Sequence, residues 1–384
     1  MRALLTAVVL LSQLLLVPPD LASQEIDVRG QASVSIGGND APELTGRAGL
    51  RYIPSVFLEA AVGEASTLDG ELALNLFGIA SVARDQRVVT DSDLEFYRGW
   101  VRYATPHLEL RAGLQKISFG SATLFRPLMW FDSIDPRDPL QITKGVYALL
   151  GRAYFLGTAN LWLWGILGRD ELKGWEVIPT KKGSPEFGGR LQMPLFSGEA
   201  AVSYHHRTAQ FTATLPAFPA PVQEIVSFPE DRLGLDGKWD IGPGLWLEGA
   251  VVRQNTESLP YRWQQAGTVG TDYTFSLGTG LTVMGEFFIQ SYTEQILGAG
   301  PTARMAGLMA TYPVNLVDNL SGIYYYDIGN GDSYAYIDWR RTYDNWMFDL
   351  ILFANPAQSG FVAGLQQGLS LAGKGIVILV AFNH

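Results

Sequence analysis

From Leu108 the chain alternates: Leu108, Leu110, Ala112 and Leu114 hold one parity, and Glu109, Arg111, Gly113 and Gln115 hold the other. An extended strand sends these two sets to opposite faces, one oily and one mixed. The division recurs at Leu281, Val283, Gly285, Phe287 and Ile289 against Thr282, Met284, Glu286, Phe288 and Gln290. It appears again at Trp346, Phe348, Leu350 and Leu352 against Met347, Asp349, Ile351 and Phe353. Few segments repeat apolar residues at helical spacing. The two-residue period predicts strands at 28–37, 43–53, 69–83, 94–105, 107–117, 144–155, 158–168, 185–194, 197–208, 230–241, 244–255, 266–277, 280–291, 302–312, 319–328, 332–341, 344–354 and 373–383.

Tight-turn residues separate neighbouring strands at Thr105-Pro106-His107, Gly242-Pro243-Gly244, Gly278-Thr279 and Asn330-Gly331, so the pairs are antiparallel. One strand per roughly 20 residues, each roughly 9–11 long, is the rhythm of a transmembrane barrel. The fold class expected is all-β, a transmembrane antiparallel β-barrel of about 16–18 strands. Longer connections are expected at 118–143, 169–184, 208–229 and 355–372. Trp100, Tyr103, Trp162, Trp164, Trp246, Tyr324 to Tyr326, Trp339 and Trp346 fall near strand ends, where interface girdles place aromatics. In the last strand Ile376, Ile378, Val380 and Phe382 share a face that suits lipid, and the chain then ends Asn383-His384.

Composition sharpens this reading. Only 17% of the 384 residues are charged, too sparse for the solvent face of a secreted sandwich or propeller. No motif recurs at one fixed period, so a solenoid is not indicated. Arg2, the apolar run Leu4 to Val17 and Leu21-Ala22-Ser23 read as a secretory signal, leaving 24–384 as one barrel domain after cleavage behind residue 23. The absence of cysteine excludes a disulfide scaffold, thiolate zinc and a lipoprotein anchor. After the signal, no run of eighteen apolar residues offers a spanning helix. A formal charge of −10 argues against nucleic acid as a partner.

The most distinctive stretch joins a strand to an insertion rich in Asp and Pro. Arg111-Ala-Gly113-Leu-Gln115, Phe119-Gly120 and Asp135-Pro-Arg-Asp-Pro139, followed by Lys144-Gly145, resemble a group of poorly characterised porin-like outer-membrane proteins. The resemblance covers Leu94 to Val146, with an echo in Arg51-Tyr-Ile-Pro54 and Leu68-Asp-Gly-Glu71. It implies a barrel and says little of a substrate.

Folded inward, insertion 118–143 would narrow the lumen and carry Arg126, Asp132, Asp135, Arg137 and Asp138 to the pore, setting opposed charges across it. Folded outward, its Asp-Pro pairs would merely make turns. Glu109, Arg111, Glu248, Glu286, Asp338, Arg340 and Asp349 sit at the mixed parity; lipid exposure would be costly, so they are expected inside with Gln115.

No cofactor is expected. His205 and His206 are adjacent and point to opposite faces, so they do not chelate one ion together. Asp327-Ile-Gly-Asn-Gly-Asp332 echoes a calcium loop but lacks the downstream Glu, and a hairpin turn is the better reading. Gly368-Leu-Ser370-Leu-Ala-Gly373 is not a nucleophile elbow, and a non-enzymatic role is expected. Three readings follow: passive diffusion of small hydrophilic solutes; a plugged structural, export-associated or partner-binding barrel; and a rim enzyme built on His206 and an acid. The expected partners are outer-membrane lipid and lipopolysaccharide, small solutes and the barrel-assembly machinery.

Overall fold

The computed structural model describes residues 24–41, 44–83, 85, 87–215, 222–356 and 372–384. The expected signal segment lies outside the described residues. Among the described residues all regular structure is extended: β1 (Gln24–Asn39), β2 (Leu44–Ala61), β3 (Thr67–Ala83), β4 (Val88–Ala104), β5 (Leu108–Gln115), β6 (Val146–Tyr154), β7 (Asn160–Leu167), β8 (Pro185–Leu195) and β9 (Gly198–Leu215). The second half contributes β10 (Val222–Asp240), β11 (Gly244–Gln254), β12 (Trp263–Phe275), β13 (Leu281–Thr293), β14 (Thr302–Pro313), β15 (Asp318–Asp327), β16 (Ser333–Tyr343), β17 (Trp346–Ala354) and β18 (Lys374–Asn383). Each strand pairs antiparallel with its sequence neighbours, and β1 also pairs with β18, closing an 18-stranded barrel. Closure satisfies every edge, as a sheet surrounded by hydrocarbon requires. Among the described residues no helix is long and apolar enough to cross a membrane.

The parity rule places side chains as expected over most of the sheet. Leu247, Val269, Phe287 and Ile289 are exposed on the outer wall, whereas Glu248, Thr268, Glu286 and Gln290 are buried inside. At the end of β5 burial stops alternating: Leu114 and Gln115 are both buried, although the register with β6 stays continuous through Leu114↔Tyr147 and Gln115↔Val146. Gly113 brings the β5 backbone close to β4 there: its φ of 121° lies in the left-handed region, and an added Cβ would fall 2.1 Å from the Gly99 carbonyl oxygen.

Two expectations are corrected. The connection expected at 208–229 is largely strand, because β9 and β10 run on to Leu215 and from Val222. Those strands of 18 and 19 residues exceed the roughly 9–11 needed to cross the hydrocarbon and project past it. Of the aromatics assigned to girdles, Trp100, Trp162, Trp164, Trp246 and Tyr325 instead point inward. Trp164, Trp246 and Tyr325 are buried, and Trp100 and Trp162 lie under Arg111 and Arg152 at 4.5 and 3.8 Å. They share parity with interior charges, while Tyr103, Tyr324, Tyr326, Trp339 and Trp346 remain on the outer wall.

The hairpins sort by length. Turns β2–β3, β4–β5 and the alternating ones that follow are short and share one end with the termini; the longer connections occupy the other. At that long-loop end, Asp327 serves a hairpin, its carboxylate accepting hydrogen bonds from the Gly329 and Asn330 amides at 2.9 and 3.1 Å. Most of connection 355–372, including Ser370, lies outside the described residues.

Candidate functional site: an insertion held inside the barrel

The connection between β5 and β6, residues 116–145, folds inward and reaches walls on the far side. Its hold is electrostatic and local. The Glu286 carboxylate on β13 accepts hydrogen bonds from three consecutive amides, Thr123 (2.7 Å), Leu124 (3.0 Å) and Phe125 (2.7 Å), and from Trp246 Nε1 (2.9 Å). Glu248 on β11 accepts from the amides of Ala122 (2.9 Å) and Leu128 (2.6 Å). Thr268 donates to the Phe125 carbonyl (2.7 Å), and Ser121 donates to Asp236 (3.2 Å), which Arg190 grips with both Nη atoms. Charged acceptors of this kind make the stronger hydrogen bonds and satisfy loop amides that have no sheet partner.

Apolar packing completes the anchorage. Leu124 and Phe125 join Phe288, Tyr325, Tyr336 and Phe353 of the β13–β18 wall. Phe119, Leu128, Trp130 and Phe131 pack with Leu150, Trp164 and Ala250 on the β6, β7 and β11 side. Gly120, at φ 103°, passes so close to Glu248 that an added Cβ would lie 2.4 Å from its Oε2.

The insertion's own charges are mostly paired. Arg126 bonds Asp132 (2.8 Å), and its carbonyl accepts from Trp175 Nε1 (2.6 Å). Arg137 pairs with Asp135 (2.7 Å) and donates to the Tyr336 hydroxyl (3.1 Å). Asp138 accepts from the Leu140 and Ile142 amides, each at 3.0 Å, and burial pushes its carboxyl up against those bonds. The Arg51 guanidinium of β2 pulls the same carboxyl back down.

On the strands, Glu109 meets Arg111 (3.1 Å), Arg152 (3.5 Å) and Arg102 (3.7 Å) near the short-turn end. Arg340 reaches Asp349 (2.7 Å), Asp338 (3.9 Å) and the carbonyl of Pro139 (3.2 Å). Gln115 is 0% exposed and donates to the Ala148 carbonyl (2.9 Å), so it fills the wall instead of facing open space. Glu248 and Glu286 are likewise occupied by the insertion's amides. Half-buried Arg47 and Arg51 of β2, and buried Arg98 of β4, lie at interior parity without an ion-pair partner among the described residues; parity at 47 and 51 alone could have indicated two of them.

A second inner loop, 168–184, had no sequence signal beyond its length. Lys173 bonds Glu186 (2.6 Å), and Glu176 meets Arg207 (3.2 Å) and Arg232 (2.8 Å). Gly174 makes the crossing of the two loops possible: an added Cβ would overlap the Met129 carbonyl oxygen.

The histidines separate as expected. His205 faces inward to Glu186 (3.0 Å) and Trp164 Nε1 (3.2 Å); His206 faces outward to Asp231 (2.8 Å), which also accepts from the Tyr204 hydroxyl. No group of three or more metal-ligating side chains occurs among the described residues.

No protein-family model matches the chain, and no curated protein sequence matches it. Solved structures do. The chain is similar to OccAB4 of Acinetobacter baumannii at 8% identity and a TM-score of 0.54, covering 96% of this chain and 99% of that one. It is similar to OmpT, an outer membrane protein of Vibrio cholerae, at 11% identity and a TM-score of 0.54, covering 94% and 100%. An anion-selective porin from Comamonas acidovorans aligns at 11% identity and a TM-score of 0.50, again over 94% and 100%. The common feature is the closed antiparallel barrel of outer-membrane proteins. The motifs at Arg111–Gln115, Phe119–Gly120 and Asp135–Pro139 stand on their own residues.

Proposed function

We propose that the chain is exported through a cleaved leader, 1–23, and forms an outer-membrane channel for passive diffusion of small hydrophilic solutes, with insertion 118–143 as its filter. The observation that carries this reading is the insertion folded inside the barrel and held to its walls at Glu286, Glu248 and Asp236, with Arg340, Asp338 and Asp349 beside its Pro139 carbonyl. Opposed charges across a narrowed lumen filter solutes by charge and orientation. The shared fold with an anion-selective porin supports a channel and is neutral on its solute. The reading carries no enzymatic step: His206 and Asp231 meet on the outer wall, where Tyr204 is the hydroxyl in contact with Asp231. Outer-membrane lipid, lipopolysaccharide and the assembly machinery are the partners this reading requires.

A plugged, structural barrel is the second reading, and a specific observation favours it: the insertion packs apolar side chains against both walls. Planar-bilayer recordings of the refolded mature chain, with and without residues 121–141, separate the two. Ohmic steps in the wild type that change size or reversal potential on deletion support the filter. Conductance only after deletion supports the plug, and silence in both defeats the channel.

A further inference from the structure

We infer that the open side of the lumen, beside β1–β4, takes short unblocked peptides, meeting their two termini with opposite charges at the long-loop mouth. This deepens the channel reading and rests on it. The insertion leans away from this side: its apolar side chains pack on the β6–β7, β11 and β13–β18 walls, where Glu248 and Glu286 are buried. Along β2–β4 the interior side chains stay in contact with water. Asp91 and Asp93 are exposed, and Arg47, Arg51, Phe77 and Ile79 are half-buried. Arg29 of β1 lies over the Phe57 ring (5.0 Å) and is 64% exposed, so the open side runs on toward the short-turn end.

The register sets the charges at the mouth in two columns. Arg51 of β2 lies opposite Phe77 of β3, and Phe77 opposite Asp93 of β4; Gly49, Ile79 and Asp91 make the next interior row, with Arg47 one row above on β2. Residues directly opposite in antiparallel strands share a face, and the Arg51 guanidinium lies over the Phe77 ring at 5.6 Å. Strand β3 therefore holds cations and carboxylates two strand spacings apart, roughly 10 Å. None of the four charges has an ion-pair partner among the described residues. The neighbouring acids are occupied: Glu95 meets Lys144 (3.7 Å), and Asp138 accepts the Leu140 and Ile142 amides.

Two cations and two carboxylates cancel, so a solute of one sign is drawn by one column and repelled by the other. A zwitterion satisfies both when its charges are as far apart as the columns. Three extended residues of about 3.3–3.6 Å each span about 10 Å, which fits an unblocked tripeptide. Its carboxylate would meet Arg47 and Arg51, and its ammonium Asp91 and Asp93. Between the columns, Phe77 and Ile79 offer apolar surface to its side chains. A single amino acid carries both charges on one carbon and reaches only one column at a time.

The test follows entry of labelled trialanine into proteoliposomes of the refolded mature chain. N-acetyl-trialanine, an anion of the same length, and trialanine amide, a cation, serve as comparison solutes. Trialanine is expected to enter about threefold faster than either, the scale of one exposed ion pair. With Arg47→Gln and Arg51→Gln combined, trialanine amide is expected to become the fastest; with Asp91→Asn and Asp93→Asn combined, N-acetyl-trialanine. General loosening of the barrel does not produce this crossed result. Heat-modifiable mobility on gels reports whether each variant folds, and the wild-type comparison decides alone if neither does. Equal entry of the three peptides, or trialanine still fastest in both folded variants, overturns the proposal. Bilayer conductance of the same preparation reads the channel separately: steps with equal entry defeat the peptide assignment alone, and no steps with no entry of any peptide defeat the channel and the assignment with it.

Discussion

Glu286 receives three consecutive backbone amides, an arrangement that a neutral apolar side chain cannot replace. Glu286→Ala is expected to strand these donors, each buried one costing about 1–3 kcal/mol. The expected readout is faster tryptic cleavage after Arg137, buried in the intact insertion, with the barrel itself still heat-modifiable. Unchanged cleavage would show that packing alone holds the insertion. Gly120→Ala acts on the same contact from the other side. The left-handed backbone and the approach to Glu248 are expected to cost about 1–3 kcal/mol and to loosen the insertion in the same assay. The residues of this anchorage were legible as interior by parity, but their partners were not. Glu248 and Glu286 read from sequence as lumen charges, and only closure shows that main-chain amides take up their lone pairs.

The strands were legible because period two survives wherever one face meets lipid and the other does not. Each predicted strand corresponds to an observed one. Their lengths were not legible where both faces are wet: Val88 to Asp93 extends β4 beyond its predicted start at 94 and is exposed throughout. The connection at 168–184 was legible by its length, but its inward fold was not, for a different reason. Its ionic contacts join Lys173 and Glu176 to Glu186, Arg207 and Arg232, residues that only the curvature of the wall brings together. Glu176→Ala is expected to leave two buried guanidinium groups short of charge, at about 3–5 kcal/mol for a broken buried pair. A lowered temperature of the heat-modifiability transition checks this; an unchanged one would mean that solvent already compensates Arg207 and Arg232.

The barrel closes where β1 meets β18, in a continuous register from Gln31↔Asn383 to Asn39↔Gly375. The Gly30 and His384 main chains exchange hydrogen bonds at 2.9 Å in both directions, and Gln31 donates to the Asn383 side chain. Removing residues 374–383 is expected to abolish the heat-modifiable species altogether, because β1 and β17 would each present a bare ladder to hydrocarbon. A folded seventeen-strand form in that assay would refute the expectation.

This seam gives the ring no first or last strand, so the number of strands cannot drift by one without leaving two raw edges in oil. Residues more than 350 positions apart must find one another before any part of the wall is finished. Assembly is therefore closer to fastening a clasp than to extending a fence. An interrupted chain carries its own mark of incompleteness, an open edge that a protease or a holding chaperone can read and that the fastened ring lacks.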